Sequence, residues 1–558
     1  MLVDTHSNPN CRISRPPTTT LNVYVCLTGE ELEIREHKVW TPVDIAYLQT
    51  AAQVCSEKDF IITGFREGFR LGVAKEFQVR REHVSQATPP LIRKLQQEIE
   101  ANRIIGPFDN KPMGDLHVSP LHVIPKPLSA KLRMIFNLST PLGNSVNDHI
   151  CARKKSVQYC SVIDVGEHLL RLGPKGAWMA KVDLSDAYRL VPINQMDWKY
   201  LGIKVAGKFY IDRMLPMGAA SSCQIFQRIS DALKEMLLDQ CKAKISVFNY
   251  LDDFLFVAPT ENSCEEALTA FETLCGKLKI SIATHKTVHA TQQITFLGLG
   301  INAEHCTLYI PEEKRKRVES KLRTFLEEKA PRVKNWQSMT GSLCHLSQVV
   351  AAGRIFLSSM YSRLTGILAG KRHSRRKITS EVRQDISVWL HLLNRAPEKP
   401  FKVLDPNESD LAPLMTDASA SVGFGAMWEN QWLCGRWPKN KSANIATLEL
   451  YPIFLALSMS HAENVAVHVY TDNHALVTVI NKLYCRDEGL RKLMKVIVST
   501  CMTKNLRLVA SHIPGNQNIG PDLLSRGKIT KFAELFPHMD QRPLEIPPYL
   551  GSVCGVIA

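Results

Sequence analysis

The chain has 558 residues, with 69 Lys and Arg against 54 Asp and Glu and a formal net charge of +15. That length implies several domains, a hydrophobic fraction of 45% is enough for real cores, and the basic surplus suits a phosphate-rich partner held less tightly as salt rises. The 15 cysteines form no Cys-x-x-Cys pair, and no apolar run reaches membrane-spanning length; both exclude a structural zinc site, a disulfide framework and a spanning helix as expectations. With no basic-then-apolar leader, the expected setting is intracellular, cytoplasmic or nuclear.

Residues 1–90 carry no catalytic pattern, although Gly64-Phe65-Arg66-Glu67-Gly68-Phe69-Arg70-Leu71-Gly72 is distinctive and reads as a docking turn or a packed loop. From Pro89 a helical run, Leu91 to Ile99, leads into Ile104-Ile105-Gly106-Pro107-Phe108. Val123-Ile124-Pro125-Lys126-Pro127 and Lys131-Leu132-Arg133-Met134-Ile135-Phe136 then read as a basic hairpin, able to hold a triphosphate or simply exposed. A short apolar strand ends in Asp183, and an aromatic, Tyr188, follows five positions later. Leu215-Pro216-Met217-Gly218-Ala219-Ala220-Ser221-Ser222 is a Pro/Gly turn that feeds small residues into a helical stretch, and small residues let a base pair approach the backbone.

The run Phe248-Asn249-Tyr250-Leu251-Asp252-Asp253-Phe254-Leu255-Phe256-Val257 places two carboxylates between strand-like flanks, as at the tip of a β-hairpin. Alone, such a pair also fits a solvated turn, which Asp favours for local hydrogen-bonding reasons. Asp183 changes the weighting. Two-metal phosphoryl transfer needs carboxylates from separate strands to converge, so that ions roughly 3.5–4 Å apart clamp the attacking and leaving oxygens. Further on, Thr295 to Ile301 and Thr307 to Pro311 form another glycine-bearing hairpin. Alternating charge and apolar spacing then predict helices through Leu346, followed by a connection to about residue 412. The basic runs Lys314-Arg315-Lys316-Arg317 and Lys371 to Lys377 either line a duplex track or form solvated faces.

The C-terminal part repeats the logic with other acids. Leu414-Met415-Thr416-Asp417 opens a strand meander that turns at Glu429-Asn430, and Glu449 interrupts an otherwise apolar helical stretch from Ala446 to Leu457. Val465 to Thr471 is a strand ending at Asp472, and His512 and Asp522 follow the last strand-like run. Read singly, Asp522 also fits a helix cap and His512 an ordinary loop histidine, whereas strand-end acids such as Asp417 and Asp472 are costly without partners.

The basic hairpin, the Asp183 strand, the Pro-Met-Gly turn and the Tyr-Leu-Asp-Asp tetrad, in this order, resemble the reverse transcriptases of retroelements. The resemblance implies that Asp183, Asp252 and Asp253 bind two Mg²⁺, with Mn²⁺ as a possible substitute. It implies that Arg133 and Lys131 meet the incoming triphosphate, that Tyr188 is a steric gate against a ribose 2′-hydroxyl, and that Met217 and Gly218 lie beside the nucleotide. Met217 stands where many relatives carry Gln or Phe. Residues from Pro413 to Arg526 resemble ribonuclease H, which implies a second two-metal site at Asp417, Glu449, Asp472 and Asp522, with His512 on a nearby loop assisting proton transfer or product release.

The expected architecture is a multidomain α+β and α/β chain: a right-hand polymerase followed by a ribonuclease H-like mixed α/β domain. An extension of unassigned role covers 1–90, fingers and palm 91–310, a helical thumb and connection 311–410, the nuclease-like domain 411–527 and a tail 528–558. The implied partners are an RNA template, a DNA primer, RNA-DNA hybrid and deoxynucleoside triphosphates, without a membrane. Ser119 to Lys126, Asn144 to Asp148, Ala352-Gly353-Arg354 and Gly520 to Arg526 look like DIRS-like (tyrosine-recombinase) retrotransposons, with a gypsy-like element as runner-up. A domesticated or decayed copy that binds nucleic acid without catalysis is the alternative from another class, although all seven carboxylates are in place.

Overall fold

Caps and turn residues set the element ends in the computed structural model, which describes residues 38–551 apart from 75–76, 78–81, 126–131, 174–176, 368–372, 396–397, 402–411 and 439–442. Lys131, Lys126 and the start of the Lys371 run therefore lie outside the described residues. Helix α1 (Ile45–Ala51) is capped by Asp44, whose carboxylate accepts the Tyr47 N–H at 3.0 Å. Helix α2 (Lys58–Glu67) stops at Gly68, where φ is +85° and the backbone of Asn194 leaves no room for a side chain. Phe69 then packs edge-on against Phe60 and Phe65, while Arg70 and the Leu71 N–H converge on the buried carboxylate of Asp197. The Gly64–Gly72 segment is thus a packed turn, and Val43 to Leu71 share one hydrophobic core with the residues that follow, through Ile280.

Helix α3 (Pro89–Glu100) starts with proline, which is preorganised for a first turn, and leads into β1 (Ile104–Phe108). The expected basic hairpin forms from β2 (Leu121–Pro125) and β3 (Leu132–Phe136), paired antiparallel. After α4 (Val162–Leu172) comes β4 (Trp178–Asp183), then the small strands β5 (Gly202–Val205) and β6 (Lys208–Asp212), which pair with β1 in the order β1-β6-β5. The long α5 (Ser222–Gln240) precedes β7 (Ser246–Tyr250), β8 (Asp253–Ala258), α6 (Glu261–Leu278) and β9 (Val288–Thr291). Their sheet runs β7-β8-β4-β9, and β8 is apolar on both faces beyond Asp253 because it lies inside the sheet with Phe271 of α6 against Phe254 and Phe256.

The next hairpin, β10 (Gln293–Phe296) and β11 (Leu299–Asn302), turns through Leu297 and Gly298, both at positive φ. With β12 (Thr307–Tyr309) it builds a sheet that also takes in β13 (Glu398–Pro400), a strand from beyond the helices α7 (Glu312–Glu327), α8 (Val333–Leu346), α9 (Ser358–Leu364) and α10 (Ser380–Asn394). Lys314 of α7 donates to the Gly298 carbonyl at 2.7 Å, and His345 of α8 bonds the Leu297 carbonyl at 3.0 Å, so the helices hold the hairpin tip.

The remaining strands are β14 (Ala412–Ala418), β15 (Gly423–Trp428), β16 (Gln431–Arg436), β17 (Ala466–Thr471) and β18 (Arg507–His512), in one mixed sheet ordered β16-β15-β14-β17-β18. The first three pair antiparallel and the last two join in parallel. Helices α11 (Ile445–Met459), α12 (His474–Lys482), α13 (Glu488–Lys504), α14 (Ile519–Ser525) and α15 (Ile529–Leu535) complete this unit. Lys495 of α13 reaches Asp385 of α10 at 2.7 Å, which ties the last unit to the helical one. Among the described residues no helix is long and apolar enough to cross a membrane.

Candidate functional site

The first acidic cluster forms because two strand ends meet. β4 and β8 pair with Asp183 opposite Asp253, and the β7–β8 turn consists of Leu251 and Asp252 alone. Leu251 adopts φ of +54°, a left-handed conformation costly for a leucine, so neighbouring groups must hold it. Helix α5 supplies them: Gln227 accepts the Leu251 N–H at 2.9 Å, and the Ser230 hydroxyl donates to the Leu251 carbonyl at 2.6 Å. From the other side the Leu184 N–H donates to the Asp252 carbonyl at 3.0 Å. Asp231 accepts from both Gln227 and Asn249, at 2.9 and 2.7 Å, and so braces the same corner.

The three carboxylates sit in a poorly solvated pocket. Burial, then repulsion from Asp183 and Asp253, pushes the Asp252 carboxyl up to about 6. Burial also raises Asp253, although the Lys181 ammonium stands 3.3 Å from its Oδ1; that oxygen is buried without a well-formed hydrogen bond. Asp183 is engaged by Lys286 at 2.9 Å. Among the described residues, no three His, Cys, Asp or Glu side chains close on one point as a finished metal site. A buried, mutually repelling acid triad, in which one Asp253 oxygen lacks a well-formed hydrogen bond, nevertheless fits divalent cations, which would neutralise it.

Arg133 is an exposed residue of β3 and lines a small cavity with Glu98, Phe136, Asp186, Arg189, Asp212 and Met217. Gly218 is there for a steric reason: at φ of +152° a Cβ would stand 1.9 Å from the Phe136 carbonyl oxygen. Asn147 clamps the loop, its amide nitrogen donating to the Gly218 carbonyl and its oxygen accepting the Ala220 N–H, both at 2.8 Å. Sequence reasoning quoted Asn147 only within a motif and assigned it no role. Tyr188 lies on a short turn of helix, Ala187–Leu190, with its ring stacked on Phe226 at 5.0 Å. The next residue, Arg189, is buried at the wall of that cavity, where it meets Glu98 at 3.0 Å and Asp212 at 2.8 Å.

The second acidic cluster lies at one edge of the C-terminal sheet. The parallel β14–β17 register pairs Met415 with Tyr470, which brings Asp417 level with Asp472. Glu449 enters from α11 and accepts from Asn473 at 2.5 Å; burial, with repulsion from Asp472 and Asp417, lifts its carboxyl to about 7. Asp417 is raised by burial and by Asp472 and Asp522, against a hydrogen bond from Ser525. Asp522, on α14, pairs with Arg526 at 2.7 Å. All four acids are therefore gathered. The placement of His512 needs correcting: it closes β18 opposite Thr471 rather than standing on a loop, and its exposed ring stacks on His474 at 3.7 Å. Asn473 and Ser525, which bond two of the acids, gave no signal in the sequence beyond their proximity to Asp472 and Asp522.

Comparison with known proteins bears on the first cluster. Residues 124–301 match the family model described as reverse transcriptase (RNA-dependent DNA polymerase). The chain is 26% identical over 199 residues to the Gag-Pro-Pol polyprotein of bovine leukemia virus (isolate Australian), covering 33% of this chain and 13% of that protein. It is 27% identical over 202 residues to Protein P of duck hepatitis B virus (strain China), covering 35% of this chain and 25% of that protein. The chain thus spans a quarter or less of the length of these curated relatives. Among solved structures, the foamy viral protease-reverse transcriptase in complex with RNA/DNA hybrid aligns with a TM-score of 0.45 at 15% identity, covering 84% of this chain and 62% of that one. The foamy viral protease-reverse transcriptase dRH in complex with ds DNA aligns with a TM-score of 0.44 at 15% identity, covering 89% and 84%. The family match takes in Asp183, Asp252 and Asp253, so the first acidic site lies inside the matched segment.

Proposed function

We propose that the chain is an RNA-directed DNA polymerase that copies RNA into DNA, with a second site that hydrolyses the RNA strand of RNA-DNA hybrids. The observation that carries the first half is the convergence of Asp183, Asp252 and Asp253 at paired strand ends within the family match. Asp183, Asp252 and Asp253 would hold Mg²⁺, or Mn²⁺ in its place, and the ions would activate the attacking oxygen and neutralise charge on the leaving one. Arg133 would meet the triphosphate, with Lys131, which lies outside the described residues, as its proposed companion. The Tyr188 ring fills the space a ribose 2′-hydroxyl would need, and Asn147 keeps the Met217-Gly218 backbone against the nucleotide. The substrates in this reading are an RNA template, a DNA primer and deoxynucleoside triphosphates.

The four-acid cluster of the C-terminal sheet supports the nuclease half, since Asp417, Glu449, Asp472 and Asp522 repeat the same pattern of buried, mutually repelling carboxylates. His512 flanks them from the end of β18 and is placed to exchange protons with solvent. The two sites then treat one hydroxyl oppositely: the polymerase excludes it from the incoming nucleotide, and the nuclease requires it on the template. We further assign the chain to the DIRS-like retroelements on its sequence motifs.

The test is primer extension and hybrid cleavage by the wild type beside Asp252→Asn and Asp472→Asn. Extension lost only in the first and cleavage lost only in the second is the expected result. Folded wild type that binds primer-template but neither extends nor cuts it would move the assignment to a binding-only protein.

A further inference from the structure

The nucleotide side of the first site holds a sulfur that none of the roles above uses. Cys223, in the first turn of α5, accepts a hydrogen bond from the Tyr188 hydroxyl at 3.4 Å. A thiol is a weak, soft acceptor, but a half-buried phenol has few alternatives. Tyr159 stands near the same thiol, and its ring lies 4.4 Å from that of Tyr250, next to the Leu251-Asp252 turn. The Tyr188 ring is therefore constrained twice: at its face by Phe226, 5.0 Å away and 17° from parallel, and at its hydroxyl by Cys223. Both constraints come from one helix, which also grips the Leu251 backbone through Gln227 and Ser230.

We propose that Cys223 is a positioning residue for sugar selection: its thiol fixes the depth of the Tyr188 ring and thereby how strictly the site rejects ribonucleotides. This rests on the proposed gate role of Tyr188. Stacking alone leaves a ring free to slide in its own plane, whereas a bond at the para position stops that motion. Without the thiol the ring moves toward the helix and opens the volume that a 2′-hydroxyl needs.

The experiment measures kcat and KM for a deoxynucleotide and its ribonucleotide counterpart, on one primer-template, with wild type, Cys223→Ala, Cys223→Ser, Tyr188→Phe, Tyr188→Ala and the Cys223→Ala/Tyr188→Phe double variant. A neutral hydrogen bond of ordinary strength predicts that Cys223→Ala relaxes discrimination about three- to tenfold, mainly through a lower KM for the ribonucleotide. Cys223→Ser, which keeps an acceptor, stays near wild type. Tyr188→Phe, which keeps the ring and loses the bond, behaves like Cys223→Ala, and the double variant is no worse than either single one. Should Tyr188→Ala relax discrimination while Cys223→Ala and Tyr188→Phe leave it unchanged, the positioning role is overturned and the gate reading survives. Should Tyr188→Ala leave discrimination intact, the gate reading fails and the role of Cys223 fails with it.

Discussion

Replacing Gln227 with methionine removes two hydrogen bonds, the acceptor for the Leu251 N–H and the donor to Asp231, while leaving the volume of a buried side chain almost unchanged. Gln227 is 5% exposed, and its oxygen is the acceptor for the Leu251 N–H at 2.9 Å. Losing an acceptor from a partly buried amide costs about 1–3 kcal/mol. Leu251 in its left-handed conformation carries a further intrinsic cost of about 1–2 kcal/mol that the bond helps to offset. Local opening of the Leu251-Asp252 turn should therefore become easier by about 1–3 kcal/mol, or roughly five- to 150-fold in the exchange rate of the Leu251 amide. Hydrogen exchange across residues 248–257 measures this directly and is insensitive to unfolding elsewhere in a multidomain chain. Primer extension should fall with it, because the same turn carries Asp252. Leu251→Gly in the Gln227→Met background should recover part of the protection, since glycine adopts this φ without strain. Wild-type protection and extension in Gln227→Met would refute the idea that α5 holds the catalytic turn.

Asp252 keeps its proton to about pH 6 in the folded protein, against about 3.9 for a free side chain, so the folded state binds more protons in that window and stability falls as pH rises through it. Metal-free Asp252→Asn should therefore be more stable than wild type at pH 7–8, by about 1–3 kcal/mol, should lose that advantage near pH 4, and should gain less from added Mg²⁺; thermal melts with and without the ion decide it. Gly218→Ala drives a methyl into the Phe136 carbonyl and should raise the KM for nucleotide at least tenfold, beyond any loss of stability, as steady-state kinetics will show. Lys495→Ala leaves Asp385 buried without its ammonium and should cost about 3–5 kcal/mol, seen as early proteolysis between the helical and C-terminal units; Lys495→Met with Asp385→Leu should restore most of it.

Much of this was legible where the backbone itself carries the pattern. Strands ending in an acid, the hairpin at Tyr250-Leu251-Asp252-Asp253 and the turn at Glu429-Asn430 follow from period-two alternation and turn chemistry, and the fold places them accordingly. What sequence could not reveal depends on side chains meeting across long separations. Nothing near Gln227 announces that it accepts from residue 251, nothing near Cys223 that Tyr188 donates to it, and nothing near Asn147 that it clamps residues 218 and 220. The same holds for β13, a three-residue strand that forms only because β12 offers an edge. His512 was misplaced for a related reason: the parallel pairing of β17 with β18 extends the strand two residues beyond its apolar run.

The Arg189 network has a genetic consequence. Tyr188 and Arg189 are adjacent in the chain, yet the arginine is moored inside the protein by Glu98, at the far end of α3, and by Asp212 of β6. Glu98 lines the same small cavity as Arg133 and Met217, and losing it leaves the buried guanidinium with one carboxylate partner fewer, next in the chain to the proposed sugar gate. On the proposed reading, a copy of this chain that drifted at Glu98 would keep every metal-site aspartate and still discriminate less well between sugars. A search for lost activity confined to the acids would pass over it.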